Sequence, residues 1–155
     1  MAAAETGVFG NRLARDFDRL IKAVEGLDDE AVNWKPPAPG ANSLLVIVTH
    51  AVASAEDHVV HRAALKPVTR SRDAEFAARG SASHLAKRAE EVKRRIDDAL
   101  AGLDPAGLGE ERPEQFPNWP GRWTVRDTLV HAVAHTAEHA GQAELTRDLW
   151  RGRTG

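Results

Sequence analysis

The sequence of 155 residues predicts a single all-α domain, residues 1–155, folded as a four-helix bundle. Four segments carry apolar residues at steps of three and four, which is the pattern of amphipathic helices. No segment alternates apolar and polar residues in the way that a half-buried strand does. A long loop rich in proline and glycine is predicted between the third and fourth helices. Four long helices in a chain of this length pack most economically as a bundle.

The first predicted helix ends near Gly26. Its apolar stripe consists of Leu13, Phe17, Leu20, Ile21, Val24 and Leu27. The stretch DDEAVNWKPPAPGANS then predicts a short helical turn followed by an extended crossing, because two successive prolines stop a helix. Asn42 or Ser43 is predicted to cap the second helix, which runs to Pro67.

The third predicted helix follows a polar connection that has one helical turn around Phe76. Ser83 is its predicted cap, and its outer face is densely charged, as expected for a solvated surface. Its inner face carries Leu85, Ala89, Val92, Ile96 and Ala99. The connection GLDPAGLGEERPEQFPNWPGRW holds four prolines and four glycines, which indicates a loop. Thr124 is predicted to cap the last helix, which continues to about Trp150.

Composition limits the partners and the compartment. The chain has no cysteine, which excludes disulfides, thiolate metal ligands and a cysteine nucleophile. The formal net charge is −2 with acidic and basic residues well mixed, so the sequence has no basic cluster that would bind the phosphates of a nucleic acid. No segment reaches the roughly 20 apolar residues that span a bilayer, and the first residues lack a signal-peptide pattern. We therefore expect a cytoplasmic protein without nucleic-acid or membrane partners.

Three of the seven histidines lie in the stretch HAVAHTAEHAGQ, each four residues from the next. On a helix that turns about 100° per residue, His131, His135 and His139 fall within one sector of about 80°. Glu138 and Gln142 lie in or beside the same sector. This helix therefore carries a polar stripe that contains three imidazoles.

The second helix carries a matching polar stripe around His50. Its other members are Ser43, Ser54, Asp57 and His61. Two such stripes on helices of one small bundle are predicted to face each other across a shared pocket. His58 and His84 belong to neither stripe, and we interpret them as structural residues.

This pattern is typical of a divalent metal site. Side chains at positions i and i+4 have Cβ atoms roughly 5–6 Å apart, so two imidazoles can reach one ion. His50 would supply the third ligand, and the fourth position would stay open to water or substrate. Spacing alone does not choose between the pairs His131/His135 and His135/His139. It also leaves open a bundle in which these histidines form hydrogen bonds in the core without any metal.

Several stretches resemble the DinB-like superfamily of metal-binding four-helix bundles. HAVAHTAEHAGQAELTRDL resembles the last-helix signature, in which two histidines four apart are followed by Gly-Gln. WKPPAPGANSLLVIVTHAV is similar to the start of the second helix, and GRWTVRDTLVH to the start of the fourth. The resemblance spans most of the chain.

The resemblance implies a homodimeric bundle that holds a divalent ion, Zn²⁺ or Ni²⁺, on three histidines. The ligands then fall on His50, His135 and His139, because the histidine directly before Ala-Gly-Gln anchors the later pair. His131 is left with a role in lining the pocket or in core hydrogen bonding.

Relatives with known activity use a low-molecular-weight thiol. The resemblance therefore implies a metal-dependent transferase that joins such a thiol, as cosubstrate, to a small-molecule substrate. Glu138 is the candidate catalytic base or hydrogen-bond partner of an imidazole, with Asp57 and Gln142 as weaker candidates. The alternatives are a metal-dependent hydrolase and a non-catalytic bundle in which the metal is structural.

The loop before the last helix ends in FPNWPGRW. Its Trp119 and Arg122 are candidates for the wall of a pocket that takes a partly apolar, anionic substrate. We expect Trp123 instead to hold the loop against the bundle.

Overall fold

The computed structural model describes residues 2–112 and 122–153, in which helices are joined by loops and no strand is present. Four long helices form the bundle: α1 (Ala2–Val24), α3 (Leu44–Glu56), α5 (Ala82–Ala101) and α6 (Val125–Gly152). Two short helices lie in the connections, α2 (Asp29–Asn33) and α4 (Arg72–Phe76). Helix α1 packs against α5 and α6, and α3 packs against the same two helices. The predicted all-α bundle is confirmed.

The core is built from the apolar stripes that the sequence predicts. Phe17, Leu20, Ile96 and Leu129 are all at most 2% exposed. Burying side chains of this size contributes roughly 1.5–3 kcal/mol each, so these residues fix how the four helices pack. None of the described helices is both long and apolar enough to cross a membrane.

Local capping sets where the helices begin. Ser43 accepts a hydrogen bond from the Val46 amide at the start of α3. Thr124 forms a reciprocal capping box with Asp127 at the start of α6, in which each side chain bonds to the backbone amide of the other residue. The cap of α5 differs from the prediction: Ser81, not Ser83, accepts the hydrogen bond, from the amide of His84. The third helix therefore begins two residues earlier.

The second predicted helix is not α-helical as far as Pro67. Helix α3 ends at Glu56 and continues as a π-helix over Asp57–Ala63, where the Ala64 amide bonds to the Val59 carbonyl at 3.1 Å. Leu65 then has a φ of 55°, in the left-handed region, and the helical segment ends there. The wider winding changes which side chains after Glu56 face α6. Such π segments are frequent at functional sites.

One buried carboxylate lies away from the histidines. Glu56 is 2% exposed and forms ion pairs with Arg88 and Arg95 of α5. These pairs join α3 to α5.

Candidate metal centre

Three imidazoles from two helices meet inside the bundle. His50 of α3 and His135 and His139 of α6 each offer a ring nitrogen, and the three nitrogens lie within 4.8 Å of one another. The centroid of the His50 ring is 5.3 Å from that of His135 and 4.9 Å from that of His139. His131 is not part of this group. The arrangement brings together the set of residues that the resemblance implies.

Two of the rings are oriented by hydrogen bonds at Nδ1. His50 Nδ1 donates to Glu75 Oε2 at 2.8 Å, and His139 Nδ1 donates to Gln142 Oε1 at 2.8 Å. With its proton on Nδ1, each ring has a lone pair on Nε2. Partners of this kind fix the tautomer of a histidine that binds a metal.

The nitrogens fit a divalent ion. His135 Nε2 and His139 Nε2 are 3.2 Å apart. Two nitrogens bound tetrahedrally to one ion, at 2.0–2.1 Å each, would be about 3.3 Å apart. The imidazole nitrogens of such a set suit zinc, nickel, copper or iron.

The burial of these rings keeps them in the neutral form that a metal requires. Burial, together with the neighbouring His139 and His50, lowers the pKa of His135 to about 3. Burial also lowers the pKa of His50, although the hydrogen bond to Glu75 opposes this shift. The buried Nδ1 of His135 has no hydrogen-bond partner among the described residues. No contact at that nitrogen therefore favours a protonated ring.

A chain of charged groups supports His50 from outside. Arg70 donates from Nε to Glu75 Oε1 at 2.7 Å and from Nη1 to Asp57 Oδ2 at 3.3 Å. Arg62 also donates to Asp57, at 2.8 Å. Burial alone would raise the pKa of Glu75, but the bonds from Arg70 and His50 outweigh it and hold the pKa below its usual range. Glu75 is thus a carboxylate at neutral pH and a strong acceptor for His50.

Sequence reasoning missed Glu75 and Arg70. Both lie in the polar connection between the second and third predicted helices, which has no apolar stripe to orient it. Asp57, which was considered as a direct partner of an imidazole, instead pairs with Arg62 and Arg70. It therefore contributes to the centre through Arg70 and Glu75.

Gln142 contacts one of the three histidines directly, whereas Glu138 is connected to it only through Gln142. Gln142 bonds directly to His139. Glu138 is exposed, and its Oε1 accepts a hydrogen bond of 3.4 Å from Gln142 Nε2. Glu138 thus reaches His139 through Gln142.

A second pair of histidines lies next to the centre. The ring of His131 is 4.7 Å from that of the buried His58 and 5.5 Å from that of His135. Trp123 is buried, and its ring lies 5.4 Å from His131. His58 donates from Nδ1 to the Ser54 carbonyl at 2.6 Å. His58 lies in the first turn of the π-helix, and sequence reasoning did not place it beside His131.

Of the other two predicted pocket residues, Arg122 does not line the centre. Arg122 is 82% exposed and pairs with Glu111. Trp119 lies outside the described residues.

Two cavities border the first turn of α3, which precedes His50. One, of about 280 Å³, is mainly apolar and reaches Gln142. It is lined by Pro36, Gly40, Ala41, Asn42, Ile47, Gln142, Leu145 and Thr146. The other, of about 260 Å³, is polar and is bordered by Phe76. The ring of Phe76 lies 5.0 Å from that of His50. Each cavity is therefore lined by a residue that contacts one of the three histidines, namely Gln142 in the first cavity and Phe76 in the second.

Comparison with known proteins agrees with this architecture. A family model described as mycothiol-S-transferase matches residues 9–152. No curated protein matches the sequence. A crystal structure of a conserved protein from Enterococcus faecalis has a TM-score of 0.75 at 18% identity, covering 95% of this chain and 97% of that one. A DinB-like protein from Bacillus cereus gives 0.71 at 19% identity, covering 89% of this chain and 87% of that one. The similarity to the second of these structures shows that the chain has the DinB-like fold.

Proposed function

This chain belongs to the mycothiol-S-transferase family, and from that premise we propose that it joins a low-molecular-weight thiol to a small electrophilic substrate. The observation that carries the proposal is the meeting of three imidazole nitrogens within 4.8 Å. We propose that His50, His135 and His139 hold a divalent ion, Zn²⁺ or Ni²⁺. Such an ion, when bound, lowers the pKa of a thiol and so favours the nucleophilic thiolate.

The residues of the chain prepare this centre. Glu75 and Gln142 hold His50 and His139 in the tautomer that leaves Nε2 free for a ligand. The burial of His135 keeps its ring neutral. Because the chain has no cysteine, the reacting sulfur arrives with the cosubstrate. The family description supports mycothiol as that thiol.

The reaction transfers the substrate's carbon to sulfur. The thiol loses its proton, sulfur forms a bond to the electrophilic carbon, and the leaving group departs with its electron pair. We propose that Glu138 accepts the thiol proton, because its exposed carboxylate is linked to His139 through Gln142 and is open to solvent. The mainly apolar cavity that reaches Gln142 is the proposed place for the substrate's carbon skeleton.

The test is turnover by the metal-loaded protein with mycothiol and other small thiols against a panel of electrophiles. Mass spectrometry should find a product that contains both the thiol and the electrophile. His139→Ala should abolish this product, whereas His84→Ala, which changes an exposed histidine, should not. Substrate consumed without incorporation of the thiol would instead identify a hydrolase. An ion-loaded protein that binds no thiol would favour a structural metal.

A further inference from the structure

The polar cavity next to the metal centre is cationic. Lys35 and Arg79 line it together with the amides of Asn33 and Asn42. No carboxylate lines this cavity. An anion that entered it would meet two positive charges and the side-chain amide of Asn42, which can donate hydrogen bonds.

Neither cation is neutralised by the protein. Within residues 2–112 and 122–153, neither Lys35 nor Arg79 forms an ion pair, whereas Arg70 binds two carboxylates nearby. Asp29 and Glu30 border a separate recess on another side of Arg79 and form no ion pair with it. The charges on Lys35 and Arg79 thus remain available to a ligand.

The backbone beside Arg79 is held in place. Asn33 donates from its side-chain amide to the Gly80 carbonyl at 2.7 Å, and its Oδ1 accepts a hydrogen bond from the Gly80 amide at 3.4 Å. This pair of bonds ties the segment that follows α4 to α2. Arg79 is therefore attached to a fixed part of the cavity wall.

The cavity lies one helical turn from the metal centre. Val46 lines it and precedes His50 by four residues on α3, a rise of about 6 Å along the axis. Phe76 lines it as well and contacts the His50 ring, with a centroid distance of 5.0 Å. Phe76 and one turn of α3 thus lie between the cations and the three histidines, a separation that a small molecule can match in length.

We propose that this cavity is a carboxylate-binding subsite, so that one of the two substrates of the transferase carries a carboxylate. The proposal rests on the proposed function for what reacts at the histidines. Lys35 and Arg79 pair with the carboxylate and position the substrate, and the Asn42 amide donates a further hydrogen bond to it. Phe76 separates this subsite from His50.

The experiment measures equilibrium binding to the metal-loaded protein without turnover. One pair of probes is 4-chloro-3-nitrobenzoate and its neutral amide, which are electrophiles without a thiol. The second pair is 3-mercaptopropionate and 3-mercaptopropionamide, which are thiols without an electrophile. Each probe is titrated by calorimetry into wild type, into Lys35→Gln/Arg79→Gln, and into the matched control Lys87→Gln/Arg94→Gln. The control removes two exposed cations from α5 that form no ion pair among the described residues.

The expected result is that one carboxylate probe binds about tenfold more weakly to Lys35→Gln/Arg79→Gln, while its amide partner and the control variant change less than about twofold. The pair that shows this loss identifies which substrate carries the carboxylate. Equal binding of carboxylate and amide to wild type, or equal losses in both double variants, would overturn the subsite. Selective carboxylate binding without any product from the turnover assay would support the subsite and contradict the transferase.

Discussion

Glu75 Oε2 accepts a 2.8 Å hydrogen bond from Nδ1 of His50, although the two residues lie on different helices and 25 positions apart in the chain. Glu75 is itself held by Arg70, and Arg70 by Asp57. The orientation of one proposed metal ligand is thus set by a short helix that carries no ligand. Metal affinity should therefore depend on Glu75 as well as on the three histidines.

Replacing Glu75 should weaken metal binding without removing it. In Glu75→Gln the affinity for Zn²⁺ should fall about 10- to 100-fold, because His50 loses a charged acceptor at Nδ1. Competition with a coloured chelator gives the affinity. Glu90→Gln, on the exposed face of α5, is the control and should bind like wild type. An unchanged affinity in Glu75→Gln would show that the ion does not depend on the orientation of His50.

Removing a proposed ligand should abolish the site. His50→Ala, His135→Ala and His139→Ala should each retain less than a tenth of the wild-type ion content and keep a helical circular dichroism spectrum. His131→Ala should keep its ion, because His131 lies outside the three-histidine group. Elemental analysis after loading with Zn²⁺ or Ni²⁺ provides the measurement. Loss of the ion in His131→Ala would mean that the earlier histidine pair is the binding pair.

Glu138 should affect turnover rather than metal content. Glu138→Gln should lower kcat/KM for the thiol reaction about tenfold at neutral pH, below the 10²–10⁴ typical of general bases, because this carboxylate is exposed. Its ion content should match that of wild type. The comparison uses initial rates with the same thiol and electrophile. Wild-type rates in this variant would remove Glu138 from the mechanism.

The ion-free protein should lose stability as the pH falls. Burial lowers the pKa of His58 to about 4, with a further contribution from His131. The ordinary pKa of this histidine is 6.5, so below pH 6.5 the unfolded chain binds a proton there that the folded chain does not bind. The free energy of unfolding therefore falls as the pH is lowered from 6.5 to 4. The expected loss is on the order of 1 kcal/mol per pH unit for this histidine.

Urea unfolding at pH 7, 6 and 5 measures this slope. His58→Asn should show a shallower dependence than wild type, whatever its absolute stability. His84→Asn, which changes an exposed histidine, should follow the wild-type slope. Parallel slopes for wild type and His58→Asn would show that His58 does not stay neutral in the folded state.

The two ion pairs that neutralise the buried Glu56 should contribute strongly to the free energy of unfolding. Arg88→Gln/Arg95→Gln leaves the 2% exposed Glu56 without its two partners, and we expect a loss of about 3 kcal/mol in the free energy of unfolding. Arg94→Gln, at an exposed position of α5, should change it by less than about 0.5 kcal/mol. Chemical denaturation of the three proteins gives the comparison. A similar loss in both variants would argue against the buried pairs.

The parts of this fold that were predictable from sequence are those that local chemistry determines. Thr124 was predicted as a cap, and Ser43 as one of two candidates with Asn42, because a capping side chain bonds an amide only three residues away. The stripe of His135 and His139 followed from helical spacing, and the choice of this pair followed from the resemblance. The π winding after Glu56 was missed, because packing against other helices sets it and residue periodicity does not.

The support of His50 was unpredictable for a different reason. Glu75 reaches His50 only because α4 folds back on α3, and nothing in the polar sequence of that connection fixes its direction. Arg122 was expected at the pocket for its chemistry and its place in the sequence. In the structure it pairs with Glu111 in solvent, because a side chain near a site in sequence can still point away from it.

The π-helix after α3 also affects how this chain should be aligned with its relatives. Seven residues at about 4.4 per turn cover the same arc as roughly six residues of an α-helix. A relative whose helix stays α throughout therefore needs a one-residue gap opposite Asp57–Ala63. Without that gap, an alignment would pair the residues between the π-helix and Pro67 with the wrong neighbours.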